Sequence, residues 1–280
     1  MSPFTLLDDA TRHVTVLYEQ RPLAVYRYAR DQFKPYFHPL YTLSGHVLTG
    51  DRPHDHDFHH GLFFGWTKVN GYDFWGESFA DPGKRGVIKH IRFIDLLPKA
   101  DSALIVEENE WRVPGNGVLL TEIRRFGFCV IDDDNWMIDI EQQLNVPQEG
   151  LYFDTPPAYQ GLCFRAARSM AAGEISNANG DRGVEETDGT PAQWCDYTGA
   201  LDDGGGAAGV TIIDHPGNCR HPTFFFTKSK PFGFIAAAPA YHEPLSVMPG
   251  ETSVWRYRVV VHLGEPKRQL LQQLYETQVN

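Results

Sequence analysis

The segment Pro53-His54-Asp55-His56-Asp57-Phe58-His59-His60-Gly61-Leu62 is the densest run of titratable side chains in the chain. Imidazoles titrate near neutral pH, bind metals and shuttle protons. In an extended backbone His54 and His56 share a face. With His59 or His60 they offer three nitrogen ligands, enough for a zinc or iron site. A cupin-type site places a carboxylate soon after its HxH pair; here the next glutamate is Glu77, well downstream. Three uses stand side by side: a divalent-metal site on His54, His56 and His59, a polar pocket whose imidazoles move protons, or a solvated loop.

Four further groups have the right residue types. Lys34-Pro35-Tyr36-Phe37-His38-Pro39-Leu40-Tyr41 sets His38 among aromatics and prolines, as a rigid extended loop facing either a ligand or its own backbone. Asn70-Gly71-Tyr72-Asp73-Phe74-Trp75-Gly76-Glu77 opens on a turn signal and combines Trp75 with carboxylates. An indole can cover the apolar face of a sugar while Glu77 takes hydroxyls; alternatively Phe74 and Trp75 are core. Asp214-His215-Pro216-Gly217-Asn218-Cys219-Arg220-His221-Pro222-Thr223 collects Asp214, His215 and His221 at a strand end, as a site or as a well-capped turn. In Tyr241-His242-Glu243-Pro244-Leu245 one of His242 and Glu243 faces any pocket, and a buried Glu243 would serve as a general base. Arg165, flanked by apolar residues, calls for a carboxylate partner or a ligand.

These groups need a scaffold, and the pattern around them is that of β-sheet. Trp136, Ile138 and Ile140 alternate with Met137, Asp139 and Glu141; Trp255, Tyr257, Val259 and Val261 do so with Arg256, Arg258 and Val260; Val87, Lys89, Ile91 and Phe93 alternate with Ile88, His90 and Arg92. Asp132 to Asn135 reads as a hairpin turn. One helix is expected, after Pro266 with Leu270, Leu271 and Leu274 as its apolar stripe. The stretch 171–209, rich in Gly and Asp, reads as a long surface excursion with a short strand near Gln193 to Tyr197, either a lid or a solvated insertion. Strand signals on both sides of it favour a single domain over 1–280: an all-β, large antiparallel β-sandwich with one C-terminal helix.

Composition narrows the function. The 280 residues carry a net charge of −11, which argues against nucleic-acid binding. No apolar run approaches the ~18 residues of a membrane span, and Met1 to Ala10 lacks the pattern of a signal peptide, so a cytoplasmic protein without membrane partner is expected. The 4 cysteines form no CxxC pair and read as reduced thiols, with Cys129 and Cys163 in the core. GxGxxG, Walker A, GxSxG and HExxH motifs are missing.

The motifs YFHPLYT, HDHDFHHGLFFGW, VNGYDFWGE, YQGLCFRA, TIIDHPGNCRHPTFFF, PFGFIAAAPAYHEPL and WRYRVVVH, in this order over nearly the whole chain, resemble a bacterial family known as the PmoA family, of DUF6807 type. The resemblance implies a β-supersandwich similar to galactose mutarotase. It also implies acid–base chemistry in which an imidazole of His59-His60, or His215, is the acid and Glu243 the base. The leading expectation is therefore an enzyme acting on a small carbohydrate, a sugar or oxidised sugar, as epimerase, lyase or hydrolase. The alternatives are a metal-dependent cupin-like or oxygenase-like enzyme, and a non-catalytic carbohydrate-binding module.

Overall fold

The computed structural model describes residues 2–278 apart from 116, 156 and 157. Among the described residues the strands form two large sheets and a small one. The first sheet has nine strands, in the order Phe4–Asp8, His13–Tyr18, Arg21–Arg27, Tyr36–Leu40, Leu62–Gly65, Gly161–Arg165, Phe234–Ala237, Phe224–Lys228 and Thr190–Pro191. The second has eight: Glu174–Asn177, Trp194–Ala200, Ala207–Asp214, Thr252–Leu263, Asn135–Asn145, Gly117–Val130, Ser102–Val113 and Val87–Pro98. Leu151–Phe153 and Leu245–Val247 pair separately. Neighbouring strands pair antiparallel throughout. The architecture is thus the expected all-β antiparallel sandwich.

The main core lies between the two sheets, where Phe37, Leu62, Phe64, Leu162 and Phe164 of the first meet Phe126, Phe128, Ile138, Ile140 and Val259 of the second. Period-two alternation explains the second sheet: Trp136, Ile138 and Ile140 point inward, and Met137, Asp139 and Glu141 are only half-buried. Alternation fades at the end of Thr252–Leu263 because the helix Arg268–Glu276 covers the outer face there, packing Leu271 on Trp194, Ile213 and Val260. It also fades in Val87–Pro98, an edge strand with two bulges. Asp132 Oδ1 accepts from Asp134 N and Asn135 Nδ2, closing the expected hairpin.

Two expectations are corrected. The stretch 171–209 is not a loop: it contributes Glu174–Asn177, Trp194–Ala200 and the start of Ala207–Asp214 to the second sheet, a short helix Gly183–Thr187, and an edge strand of the first sheet. Its glycines sit at the turns between these short elements, Gly180, Gly183 and Gly189 with positive φ. Its strand Trp194–Ala200 is buried on both faces and therefore shows no alternation. The segment around His38 is likewise a strand, Tyr36–Leu40, inside the first sheet. All 4 cysteines are free thiols; Cys163 and Cys195 are buried, whereas Cys129 is only half-buried. No described helix is long and apolar enough to cross a membrane.

Candidate functional site

The centre of the first sheet is buried on both faces. Leu62 and Phe64, and Leu162 and Phe164, point into the main core. Their alternating neighbours Phe63 and Cys163 point the other way, where Tyr36, Trp75, Phe232, Phe234 and Ala236 form a separate apolar cluster. The register is continuous across this far face: Phe63 lies opposite Cys163, Cys163 opposite Ala236, and Ala236 opposite Phe226. One register step away Arg165 lies opposite Phe234, and Phe234 opposite Lys228. The His-rich segment and the Trp75 segment cover this face.

A cavity of about 140 Å³ remains there, walled by Phe58, Trp75, Tyr159, Phe226, Phe232 and Phe234, with His56, His59 and Lys228 as its polar groups. A wider cavity of about 400 Å³ adjoins it across Phe232 and is lined by Asp51, His54, Asp55, Arg165 and Arg168 among others. Trp75 is held by Asp73, whose Oδ1 accepts from the backbone N–H groups of Trp75 and Gly76. Its indole packs at 4.9 Å from the Tyr159 ring and edge-on to His59 at 5.7 Å.

His59 is only 6% exposed and stands in a box of rings. Arg165 Nη1 donates to its Nδ1 over 3.0 Å. A guanidinium has no acceptor, so the lone pair is on Nδ1 and the ring proton on Nε2. Burial and the adjacent Arg165 charge push its pKa down to about 2, so the ring is neutral. His56 lies beside it, ring centroids 4.7 Å apart. Its Nδ1 is 3.0 Å from Asp55 Oδ2, an ion-pair contact rather than an aligned hydrogen bond. The neighbouring carboxylate favours a proton on Nδ1 and leaves the Nε2 lone pair free.

His60, the next residue, does something different. Its ring stacks on Tyr36 at 4.0 Å. Nδ1 is 2.8 Å from Asp51 Oδ1 and Nε2 is 2.7 Å from Glu77 Oε1. Donation to both carboxylates requires the imidazolium. Glu77 Oε1 also accepts from the buried Lys34 ammonium, which donates to Trp75 O as well. Two cations and two carboxylates thus form a neutral quartet, buried except for the partly exposed Asp51. Burial alone would raise the Glu77 carboxyl, but Lys34 and His60 hold it down at about 2. Asp51 is lowered too: burial opposes this, and the His60 hydrogen bond together with the charges of His60, His38 and Arg27 outweighs it.

Of the residues singled out from sequence, His56, His59 and Trp75 meet at the inner cavity, with Arg165 beside them. Glu77 and His60 lie behind it in the quartet, and Glu77 lines neither cavity. His38 bonds Thr49 Oγ1 through Nδ1 at 2.9 Å. His54 lines the outer cavity, apart from His56 and His59. Among the described residues no group of three or more His, Cys, Asp or Glu is arranged to hold a metal ion, so the His54, His56 and His59 ligand set does not assemble. The turn that folds the 53–60 segment back on itself, with His59 N donating to His56 O, replaces the extended backbone that set presumes.

The remaining residues lie elsewhere. Buried Asp214 accepts from Asn218 Nδ2 and Thr223 N and pairs with His221, whose Nε2 reaches Tyr275 of the terminal helix at 3.0 Å. His215 Nε2 bonds Gln278 O. That group pins the terminal helix to the second sheet. His242 Nε2 bonds Gly189 O at 3.1 Å, and Glu243 is exposed, its carboxylate outside both cavities. Sequence reasoning did not single out Lys34, Asp51, Tyr159, Phe226, Lys228, Phe232 and Phe234. The signal that could have found Phe226 and Lys228 is their i, i+2 spacing, which puts them on one face of a strand without saying which face.

A family profile described as "Family of unknown function (DUF6807)" matches residues 13–276, so the chain belongs to that family. No curated protein matches it. Solved structures that align with it include heparan sulfate lyase HepC from Pedobacter heparinus, at 8% identity, TM-score 0.41, over 95% of this chain and 36% of that one. An α-galactosidase from Lactobacillus brevis aligns at 11% identity, TM-score 0.46, over 96% of this chain and 40% of that one. The chain therefore spans well under half the length of these two proteins. A GalM/aldose epimerase homologue from C. elegans aligns at 10% identity, TM-score 0.33, over 94% and 98% of the two chains.

Proposed function

We propose that this member of the DUF6807 family is an enzyme that acts on a small carbohydrate by proton transfer, with His59 and His56 as its acid–base pair in the aromatic cavity. The observation that carries this reading is the opposite environment of two imidazoles lining one cavity: a guanidinium at Nδ1 of His59 and a carboxylate beside Nδ1 of His56. The first presents an N–H donor, the second a lone pair. His56 Nε2 takes a proton from a hydroxyl or an activated C–H. His59 Nε2–H stabilises the oxygen on which negative charge develops; a neutral imidazole suits that role in a site with little water. Trp75 and the neighbouring rings supply apolar surface for the C–H face of a sugar, and the reaction class is epimerisation, mutarotation or elimination.

The test is proton NMR in D₂O on a panel of aldoses, ketoses and sugar acids, following anomer interconversion and solvent exchange at carbon. Enzyme-dependent exchange is expected. His59→Asn and His56→Asn should each reduce it by about a hundredfold to ten-thousandfold, the usual worth of a positioned acid or base. Exchange that survives both substitutions would remove the pair from the chemistry. A panel with neither binding nor turnover would overturn the carbohydrate reading itself.

A further inference from the structure

We infer that the ligand of the two adjoining cavities carries an anionic group, a carboxylate or sulfate on the sugar, received by Arg165 and Lys228 where the cavities meet at Phe232; the inference rests on the carbohydrate reading above and specifies it. The register puts the two cations on either side of Phe234, on three adjacent strands and on the same face of the sheet. Both turn toward one aromatic ring: the Arg165 guanidinium is 3.7 Å and the Lys228 ammonium 4.8 Å from the centre of Phe232, which borders both cavities.

Neither cation has a carboxylate within ion-pair distance among the described residues. Arg165 is 6% exposed and makes one side-chain hydrogen bond, to neutral His59. The nearby acids are otherwise engaged: Asp51 faces His60 and Tyr36, and Asp55 faces His56. A largely buried guanidinium normally has a partner, because an unpaired charge out of water is costly. Here burial pulls the Arg165 pKa down to about 10, a sign that its compensation by Asp55 is incomplete. In a chain of net charge −11, two cations without an ion-pair partner among the described residues, Lys228 lining the aromatic cavity and Arg165 the wider one across Phe232, meet at a single ring. The Nε and Nη2 groups of Arg165 make no hydrogen bond to the described residues, and that edge of a guanidinium fits a carboxylate or sulfate.

The experiment is calorimetric titration of the full chain with matched probes: glucose and glucuronate, galactose and galacturonate, glucose 6-sulfate, and acetate and inorganic sulfate. At least one acidic sugar is expected to bind roughly tenfold to a hundredfold more tightly than its neutral parent, the worth of a charged hydrogen-bonded contact. Uronate and sulfate arms distinguish the two anions. Arg165→Gln and Lys228→Met should each erode the preference, and Arg165→Lys should retain part of it. Lys228→Met keeps the test valid if the Arg165 variants fail to fold. Equal binding of neutral and acidic sugars would overturn the anionic inference and leave the carbohydrate reading standing. Acetate or sulfate binding as tightly as the acidic sugars would show an anion site without sugar recognition and overturn it as well. Binding of none of the probes would end both.

Discussion

Arg165 Nη1 donates to His59 Nδ1 over 3.0 Å, and this one hydrogen bond decides which way His59 faces chemically. Because the guanidinium can only donate, the imidazole must accept on that side and carry its proton on the other. Two residues far apart in sequence thereby convert a histidine into a fixed neutral donor. His56, one helical turn's worth of sequence earlier, has the converse neighbour in Asp55.

The Arg165–His59 pair should be visible in the acid stability of the fold. Folded His59 resists protonation down to about pH 2, whereas the unfolded side chain takes a proton near its ordinary value of 6.5. Below that value the unfolded state binds more protons, so stability falls as pH falls, by ~1.4 kcal/mol per pH unit from this group. Its contribution is intact above about 6.5 and goes on declining until the folded group titrates near 2. Urea denaturation between pH 6.5 and 5 should therefore show a shallower loss for His59→Asn than for the native chain. Parallel slopes would mean that His59 is not held neutral.

The quartet of Lys34, His60, Asp51 and Glu77 should respond differently. Glu77→Gln strands Lys34 in the interior and is expected to cost ~3–5 kcal/mol, as broken buried ion pairs do. Replacing both partners, Lys34→Met with Glu77→Leu, should cost less than the two single changes summed. The Glu77 contribution is present above its ordinary value of 4.5 and is lost as pH falls through about 2. Urea titrations at pH 7 of the native chain, Lys34→Met, Glu77→Leu and the double variant measure the coupling, and additive losses would show that the pair acts independently.

Much of the sandwich was legible because its inner strands alternate: Trp136, Ile138 and Ile140 announce a buried face with no help from distant sequence. Of the stretch 171–209 only the short strand near Gln193 to Tyr197 was legible, as part of Trp194–Ala200; the rest was not, since its elements are short and the glycines between them resemble those of a solvated loop. At the site, the residue types were readable and their partners were not. His59 meets Arg165 only because Leu62–Gly65 pairs with Gly161–Arg165, a register fixed by long-range packing. For the same reason the local spacing of His54 and His56 overstated a ligand set, and Asp214, His215 and His221 looked like chemistry while they fasten a helix. Glu243 was named by alternation and by the family resemblance, and neither decides which side of a short loop faces inward.

Gly65 should prove a sensitive position for the cavity, although it lines none of it. A Cβ there would lie 2.4 Å from Cε3 and 2.7 Å from Cζ3 of Trp75. Neither atom can yield without moving the indole, whose backbone is held by Asp73. Gly65→Ala is expected to cost ~1–3 kcal/mol from overpacking. It should also displace Trp75, with a shift in tryptophan emission and weaker sugar binding. An unchanged emission spectrum with unchanged binding would show that Trp75 can be accommodated elsewhere and is not a fixed wall.

Glu243 and His215 provide the sharpest contrast with the cavity pair. Glu243 is exposed and borders neither cavity, while His215 reaches Gln278 O beyond the terminal helix. Glu243→Gln should leave both sugar binding and stability unaltered. His215→Asn should leave binding unaltered and cost ~1–2 kcal/mol, the worth of its bonds to Gln278 O and from Gly217 N. Asp214→Ala should cost more, because Asn218, Thr223 and His221 all lose their acceptor at a fully buried position. Matched titrations and thermal melts of these three variants separate the two regions. If Glu243→Gln abolished turnover while leaving the fold intact, the base would have to be reassigned from His56 to Glu243, and the loop from Tyr241 to Pro244 would have to close over the ligand.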